Sequence, residues 1–372
     1  ACGHRTVYYE WSRAGFGVIT RLNHGYRGAG TLPPQVVYSQ FVEACARWVE
    51  RSIDPLDPQH GCHIWIIGNE MNNPREWPGN QEGVGGESIT PEAYAACFNA
   101  TYAAIKAVQP GAIVCPGAVD PYNAVAGDPK DWFTRMLSQI TALDGIVLHA
   151  YTHGPVPNLI TSADTFQDDP LTWQYYNFYA YRTFMDLIPG QWRTVPVFIT
   201  ETDQVEAWHN ANDGWVREAY AEIHRWNQSP HLQQIRCLLL YRWQWDQWAL
   251  EHKPGVLDDF KQTLHSEYRW RSSAGTMEHF MFGAPVIETE PSIAGVASSV
   301  AEVAAKPDDF KRIWGIGPKI EAVLRAVGIR SFAQLAILQP AQIKAWLADA
   351  NIRGRAVETW PQQARLLAQD PE

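Results

Sequence analysis

Among the 372 residues, no apolar run approaches the twenty or so needed to cross a bilayer, and no basic-then-apolar leader opens the chain. A membrane is therefore not an expected partner. Charge is sparse, at 19% Asp, Glu, Lys and Arg with a net of -10. Without a long basic run, the whole molecule has no electrostatic footprint for strong nucleic-acid binding. The six cysteines (Cys2, Cys45, Cys62, Cys97, Cys115 and Cys237) include no CxxC pair; they read as buried free thiols and do not call for an oxidising compartment. HExxH is missing, and Cys62 beside His63, or His149 with His153, has no metal-ligand spacing, so no metal is expected. With no P-loop, no GxGxxG after a strand and no GxSxG, no cofactor is expected either.

Aromatic residues are plentiful by contrast: 17 Trp, 15 Tyr and 13 Phe. Several fall at strand ends or in loops, where sugars stack, although any single Trp is more often core filling. From Gly15 onward, short β-rich runs alternate with helical patterns, the signature of repeated βα units and a parallel sheet. The expected strands are 17–22 (GVITRL), 63–68 (HIWIIG), 112–116 (AIVCP), 145–149 (GIVLH), 195–200 (VPVFIT) and 234–241 (QIRCLLLY). Helices are expected over 38–51, 91–108, 131–143, 171–187, 214–226 and 259–271.

Six such units fall short of the eight strands of a closed (β/α)8 TIM barrel. The expected fold over 1–271 is thus α/β, a TIM barrel lacking its N-terminal strands, unless 5–11 adds an irregular strand. The first residue is Ala1 and not Met, which adds to the expectation of an upstream segment or signal peptide. An open six-stranded sheet is the alternative, and it leaves edges uncovered. Residues 272–306, rich in Ala, Ser, Gly and Pro, read as a linker, and 307–372 as a small all-α domain. The thiols and this tail favour the cytoplasm, with secretion the alternative if a leader precedes the chain.

Two apolar strands deliver carboxylates at their C-terminal ends. HIWIIG runs into Asn69 and Glu70, and VPVFIT into Glu201, with Asp203 two residues on. The βα loops of a parallel barrel converge over one cavity at that face. A single glutamate at a strand end is about as often a surface or ion-paired carboxylate, but two after long apolar strands of one βα series fit an acid/base and a nucleophile for glycoside hydrolysis. Asn69 suits a hydrogen bond to a sugar 2-hydroxyl. Glu70, as the acid, would need a raised pKa, expected from burial and the second carboxylate.

These motifs resemble the clan A glycoside hydrolases, whose hallmark is Asn-Glu after strand four and a nucleophilic Glu after strand seven; Asn69, Glu70 and Glu201 match. The resemblance implies that His149 and Tyr151, matching a His-x-Tyr after strand six, lie at the site with Tyr151 bonded to Glu201. It also implies that Trp243 or Trp245 floors the sugar subsite, and that Asn23 and His24 contact substrate. Arg21 would serve there or as a core ion-pair partner, and the family's usual Arg near the end of strand two has no counterpart. The tail resembles a helix-hairpin-helix module, in which Gly315, Gly317 and a helix begun by Pro318 present N–H groups to DNA phosphates. Lys319 and Arg312 are the nearest cations. Nine Lys/Arg against seven Asp/Glu over 307–372 imply weak non-specific DNA contact at most, with protein docking an equal expectation.

The expected function is a retaining O-glycoside hydrolase on a carbohydrate substrate, with Glu70 as acid/base and Glu201 as nucleophile. The rival is a non-catalytic carbohydrate-binding or scaffold barrel with a DNA- or protein-binding tail. The separation of the two carboxyl groups discriminates between them.

Overall fold

A computed structural model describes residues 8–54, 57–229, 231–268, 308–313, 316–327, 329–336, 338, 340–349, 352 and 357–369. The chain divides into two compact units, Ala1–Ile287 and Glu288–Glu372. The linker expected over 272–306 and the hairpin residue Gly315 lie outside the described residues.

The first unit begins with a short helix, α1 (Tyr8–Arg13), so the described part of the opening segment adds no strand. Helices and strands then alternate: β1 (Ile19–Leu22), α2 (Tyr38–Arg51), β2 (Ile64–Ile67), α3 (Pro91–Val108), β3 (Ile113–Pro116), α4 (Pro129–Gln139), β4 (Ile146–His149), α5 (Ala180–Leu187), β5 (Val197–Thr202), α6 (Trp215–Asn227), β6 (Ile235–Leu240) and α7 (Pro254–Thr263). These six strands pair in parallel, in two three-stranded sheets ordered β1-β2-β3 and β4-β5-β6. The architecture is an alternating α/β core that resembles part of a barrel.

Alternation along the strands gives the unit two apolar layers. Ile64 and Ile66 of β2, Cys115 of β3, Val147 of β4 and Phe198 of β5 form an inner cluster, with Ile19 of β1 and Cys237 of β6 packed against it. Trp65, Ile67, Val114, Ile146, Leu148, Val197 and Ile199 face the helices. Trp65, fully buried, satisfies its indole N–H on Gln109 Oε1 at 2.7 Å. Of the cysteines, Cys45, Cys62, Cys97 and Cys115 are buried and Cys237 half-buried, all free thiols; burial pushes Cys45, Cys62, Cys97 and Cys237 up to about 12.

Helices α2 and α3 have the limits expected of them; Thr90 caps α3 by accepting from Ala93 N, with Pro91 opening its first turn. α5 is far shorter than expected, because 171–179 is taken up by loop packing. Buried Gln174 donates to Pro121 O at 3.2 Å, and buried Asn177 accepts from His153 N at 2.9 Å. β5 is shifted toward its C-terminus, so Glu201 lies inside the strand and not beyond its end.

The second unit has its own core, made by Phe310, Ile313, Ile316, Ile320, Leu324, Phe332, Leu335, Ile343, Leu347, Val357 and Trp360. Helix α8 (Pro318–Ala326) starts with Pro318 behind Gly317, followed by α9 (Phe332–Ala336), α10 (Pro340–Asp349) and α11 (Trp360–Gln369). Among the described residues no helix is long and apolar enough to cross a membrane.

The inner layer is tight at Gly145, where a Cβ would lie 2.8 Å from Cys115 Sγ and 2.9 Å from the Phe198 ring. Gly145→Ala should therefore cost about 1–3 kcal/mol by overpacking. Adding Cys115→Ala should return part of that loss, measured by urea unfolding of the single and double variants.

Candidate functional site

Four elements carry the site residues inward. On β1, Arg21 follows Ile19 on the inner face, and on β4, His149 follows Val147. After β2 the chain turns at Gly68 (φ 76°), and Glu70 itself is left-handed (φ 43°), a costly conformation for a side-chain-bearing residue of the kind found at functional sites. The turn is held from the loop after β3, since Glu70 N donates to Ala118 O at 2.8 Å.

The fourth element depends on an irregularity. Plain alternation from Phe198 would put Thr200 inward and Glu201 on the helix side. Leu148 pairs with Ile199 but His149 with Glu201, and Ile199 and Thr202 pair with Leu238 and Leu240. The extra residue in β5 is a bulge that turns Glu201 toward the interior.

The two glutamates consequently meet. Arg21 Nη1 donates to Asn69 Oδ1 and to Glu201 Oε1, each at 2.5 Å. His149 Nδ1 donates to Glu70 Oε1 at 2.8 Å. The Tyr151 hydroxyl lies 3.3 Å from Glu70 Oε1 and 3.3 Å from Glu201 Oε2, and 3.0 Å from His149 Nδ1. A carboxylate oxygen of each glutamate and a ring nitrogen of His149 all fall within 4.8 Å of one another. Glu201 and His149 are buried, and Glu70 is nearly so.

Burial acts on Glu70, His149 and Tyr151 alike. It pushes Glu70 up, but the hydrogen bond and charge of His149, with Arg21, pull its carboxyl below the ordinary value. This corrects the expectation of a raised Glu70: the neighbours that matter most are cations. Burial would lower His149, yet the charges of Glu201 and Glu70 raise it, so the proton of the Glu70–His149 pair resides on the imidazole. The Tyr151 phenol is driven well above its usual value by burial and by both glutamates, so it keeps its one proton and donates it to one or the other of them.

Three further carboxyls surround the pair, and burial is the chief cause in each case. Asp120, in the loop after β3, is pushed up to about 7, with Glu70 adding to the effect. Asp203 rises to about 7 against the hydrogen bond from Val205 N, with Glu201 opposing its ionisation. Glu76, in the 3-10 turn Pro74–Glu76 after β2, also rises to about 7, with Glu70 again adding. Glu76 and Asp120 were not singled out from the sequence. A polar side chain soon after an apolar strand was the only available signal.

The remaining expected contacts are more scattered. The amide of Asn23 is buried with neither atom paired. It lines a cavity of about 600 Å³ beside β1, with Tyr8, Arg21, Phe41 and Trp48 among the walls, whereas Glu70 and Glu201 are not. His24 is exposed and its ring meets Ala29 O. Trp243 and Trp245 are 54% and 87% exposed in the loop after β6, and no described contact joins them to the glutamates. Tyr241, just after β6, lies within reach of the charge of Glu201, as Tyr151 does; it is pushed up to about 12, mainly by burial. In the second unit Lys319 is exposed and Gly317 has open space around it.

A family model described as the RS2/RL21/YNQ2 HHH domain matches residues 310–368. An uncharacterized 22.9 kDa protein from Paracoccus denitrificans is 32% identical over 130 residues, covering 33% of this chain and 58% of that protein. Large ribosomal subunit protein bL21 of Hyphomonas neptunium is 41% identical over 70 residues, 18% of this chain and 34% of that protein. Among solved structures, the Ignisphaera aggregans GH53 catalytic domain gives a TM-score of 0.41 at 14% identity, covering 63% of this chain and 64% of that one. AbfB, a family 51 alpha-L-arabinofuranosidase from Bifidobacterium longum, gives 0.39 at 17% identity, covering 63% and 49%. The chain spans less than two thirds of each of these proteins, and the structural likeness is a distant one to glycoside-hydrolase folds.

The Glu70–His149 pair has a pH signature. The raised His149 contributes stability that is complete below 6.5 and lost as pH rises through its folded value, and the depressed Glu70 contributes stability present above 4.5 and lost as pH falls through its own. The pair should therefore stabilise most between these limits. By NMR titration His149 should ionise above 6.5 in the native protein and at a lower pH in Glu70→Gln, which removes a hydrogen-bonded anion and leaves the burial.

Proposed function

We propose that the first unit is a glycosidase that hydrolyses its substrate with retention of anomeric configuration. The observation that carries this reading is the close approach of Glu70 and Glu201, whose nearest oxygens lie within 4.8 Å of each other and share the Tyr151 hydroxyl. That close approach supports the retaining class, in which the carboxyl groups stand about 5–5.5 Å apart, over the wider spacing of inverting enzymes.

Glu201 attacks the anomeric carbon, oriented by Arg21 and by the Tyr151 phenol. The leaving oxygen takes its proton from the Glu70–His149 pair, and Glu70 then accepts a proton from the water that releases the sugar. As the oxocarbenium-like charge develops, the Asn69 amide donates to the 2-hydroxyl. Glu70, His149 and Glu201 also form a metal donor set, but the Arg21 guanidinium against Glu201 opposes a cation there, and the proposed chemistry needs none.

One observation favours the non-catalytic reading, a carbohydrate-binding or scaffold barrel: Glu70 has a lowered and not a raised proton affinity. The second unit, under either reading, acts as a tether or an oligomerisation module. Contact of Gly317 and Lys319 with DNA phosphates is a secondary role, weak because of the small positive excess.

Glu70→Ala should lose roughly 10²–10⁴-fold in kcat on a glycoside with a poor leaving group and much less on an activated aryl glycoside. Glu201→Ala should lose turnover on both, with azide giving an inverted glycosyl azide. NMR of the first product formed should show the substrate's own anomeric configuration. Undiminished turnover in Glu201→Ala would sink the enzyme reading.

A further inference from the structure

Glu70 follows a strand of one sheet and Glu201 lies in a strand of the other, and among the described residues no ladder joins β3 to β4. Sheet register therefore does not fix the separation of the two carboxylates. It depends on what ties the ends of the two sheets together. Side chains of the cluster reach across, with His149 and Tyr151 on Glu70 and Arg21 on Glu201. Such a group keeps its geometry only where the backbone beneath it is itself held.

The loop after β3, residues 118–123, is bonded on both sides. Toward β2, Ala118 O accepts from Glu70 N at 2.8 Å, and the fully buried Asn72 side chain grips the same loop. Its Oδ1 accepts from Asp120 N at 2.8 Å, and its Nδ2 donates to Asp120 O at 3.0 Å and to Asn123 O at 3.1 Å. Asn72 thus pairs with both the N–H and the C=O of Asp120, as a neighbouring strand would, and extends the β2–β3 pairing beyond the strand ends. Toward β4, the Tyr122 hydroxyl stands 3.1 Å from Tyr151 O and 3.1 Å from Asn177 O, with one proton to give to either. Gln174 Nε2 donates to Pro121 O at 3.2 Å.

The grip of Asn72 falls two residues after Glu70, whose left-handed backbone (φ 43°) is of the kind that persists only where its surroundings over-determine it. We propose that the loop after β3 is the clamp that sets the distance between Glu70 and Glu201, with Asn72 and Tyr122 as its positioning residues. Asn72 acts through the Glu70 turn. Tyr122 acts through the backbone of Tyr151, whose hydroxyl lies 3.3 Å from an oxygen of each glutamate. The inference rests on the glycosidase reading for the reaction that this distance serves.

The test uses the full chain, as wild type, Asn72→Ala and Tyr122→Phe. The second variant keeps the ring and removes only the hydroxyl, so it reports on the clamp if the first fails to fold. On a glycoside with a poor leaving group Asn72→Ala should lose roughly 10²-fold in kcat, the size of an ångström-scale misplacement, with KM nearly unchanged. It should lose much less on an activated aryl glycoside, whose departure does not need the acid. Tyr122→Phe should lose roughly tenfold in kcat on the first substrate, the size of one hydrogen bond.

The Nδ1 proton of His149, bonded to Glu70, gives a readout that needs no turnover. Its NMR resonance should stand far downfield in the wild type and move upfield in both variants as Glu70 withdraws. Equal losses of kcat on the two substrates, with the His149 resonance unmoved, would overturn the proposal, since the clamp would then serve folding alone. A wild type that turns over no glycoside would end the glycosidase reading, and the His149 resonance would still decide the clamp: moved, the proposal stands, and unmoved, it falls.

Discussion

Two carboxylates held against one another in a largely buried cluster repel, and the first unit accommodates Glu70 and Glu201 by giving each its own cation. Arg21 meets Glu201 and His149 meets Glu70, with the Tyr151 phenol between the two anions. Buried charges are tolerated only when paired and hydrogen-bonded. Removing either cation would leave an uncompensated anion beside another. The surrounding acids follow from the same constraint. With no further cation engaged in the cluster, burial and the charge of the central pair raise Glu76, Asp120 and Asp203 to about 7.

This charge arrangement rests on backbone devices at the strand ends. The bulge in β5 reverses the face on which Glu201 emerges, and without it the carboxylate would lie among Val197, Ile199 and the helices. The left-handed turn through Gly68 and Glu70 brings the other carboxylate back over the inner cluster, tied to the loop after β3 through Ala118. Gly117 belongs to the same arrangement: a Cβ there would lie 2.6 Å from Gly68 O. The inner layer of Ile64, Ile66, Cys115, Val147 and Phe198 thus forms the floor on which the polar groups are assembled. The outer layer fixes the strands against the helices.

The second unit has a different logic. Its core is made by Phe310, Leu324, Phe332, Leu335 and Trp360, and its match to the RS2/RL21/YNQ2 HHH domain covers residues 310–368. Its modest charge gives it little long-range attraction for nucleic acid.

The sequence by itself determined the βα order, the strand identities, the separation of a helical tail, and Asn69, Glu70, Glu201, His149 and Tyr151 as one group. The order, the strands, the tail and the placing of Asn69, Glu70 and Glu201 are written in local pattern, as apolar runs of strand length and polar residues that follow an apolar strand at its end, whereas His149 and Tyr151 entered only through the resemblance to clan A glycoside hydrolases. Tertiary structure alone decided the rest. A bulge is a difference in register between two strands and has no signature within either one, so nothing in VPVFITETD foretold the face of Glu201. The 171–179 segment was drawn out of helix by distant partners of Gln174 and Asn177. The lowered affinity of Glu70 for its proton likewise depends on which charges converge from β1 and β4. The field at a buried group is a sum over its neighbours in space, and a linear sequence does not contain those distances.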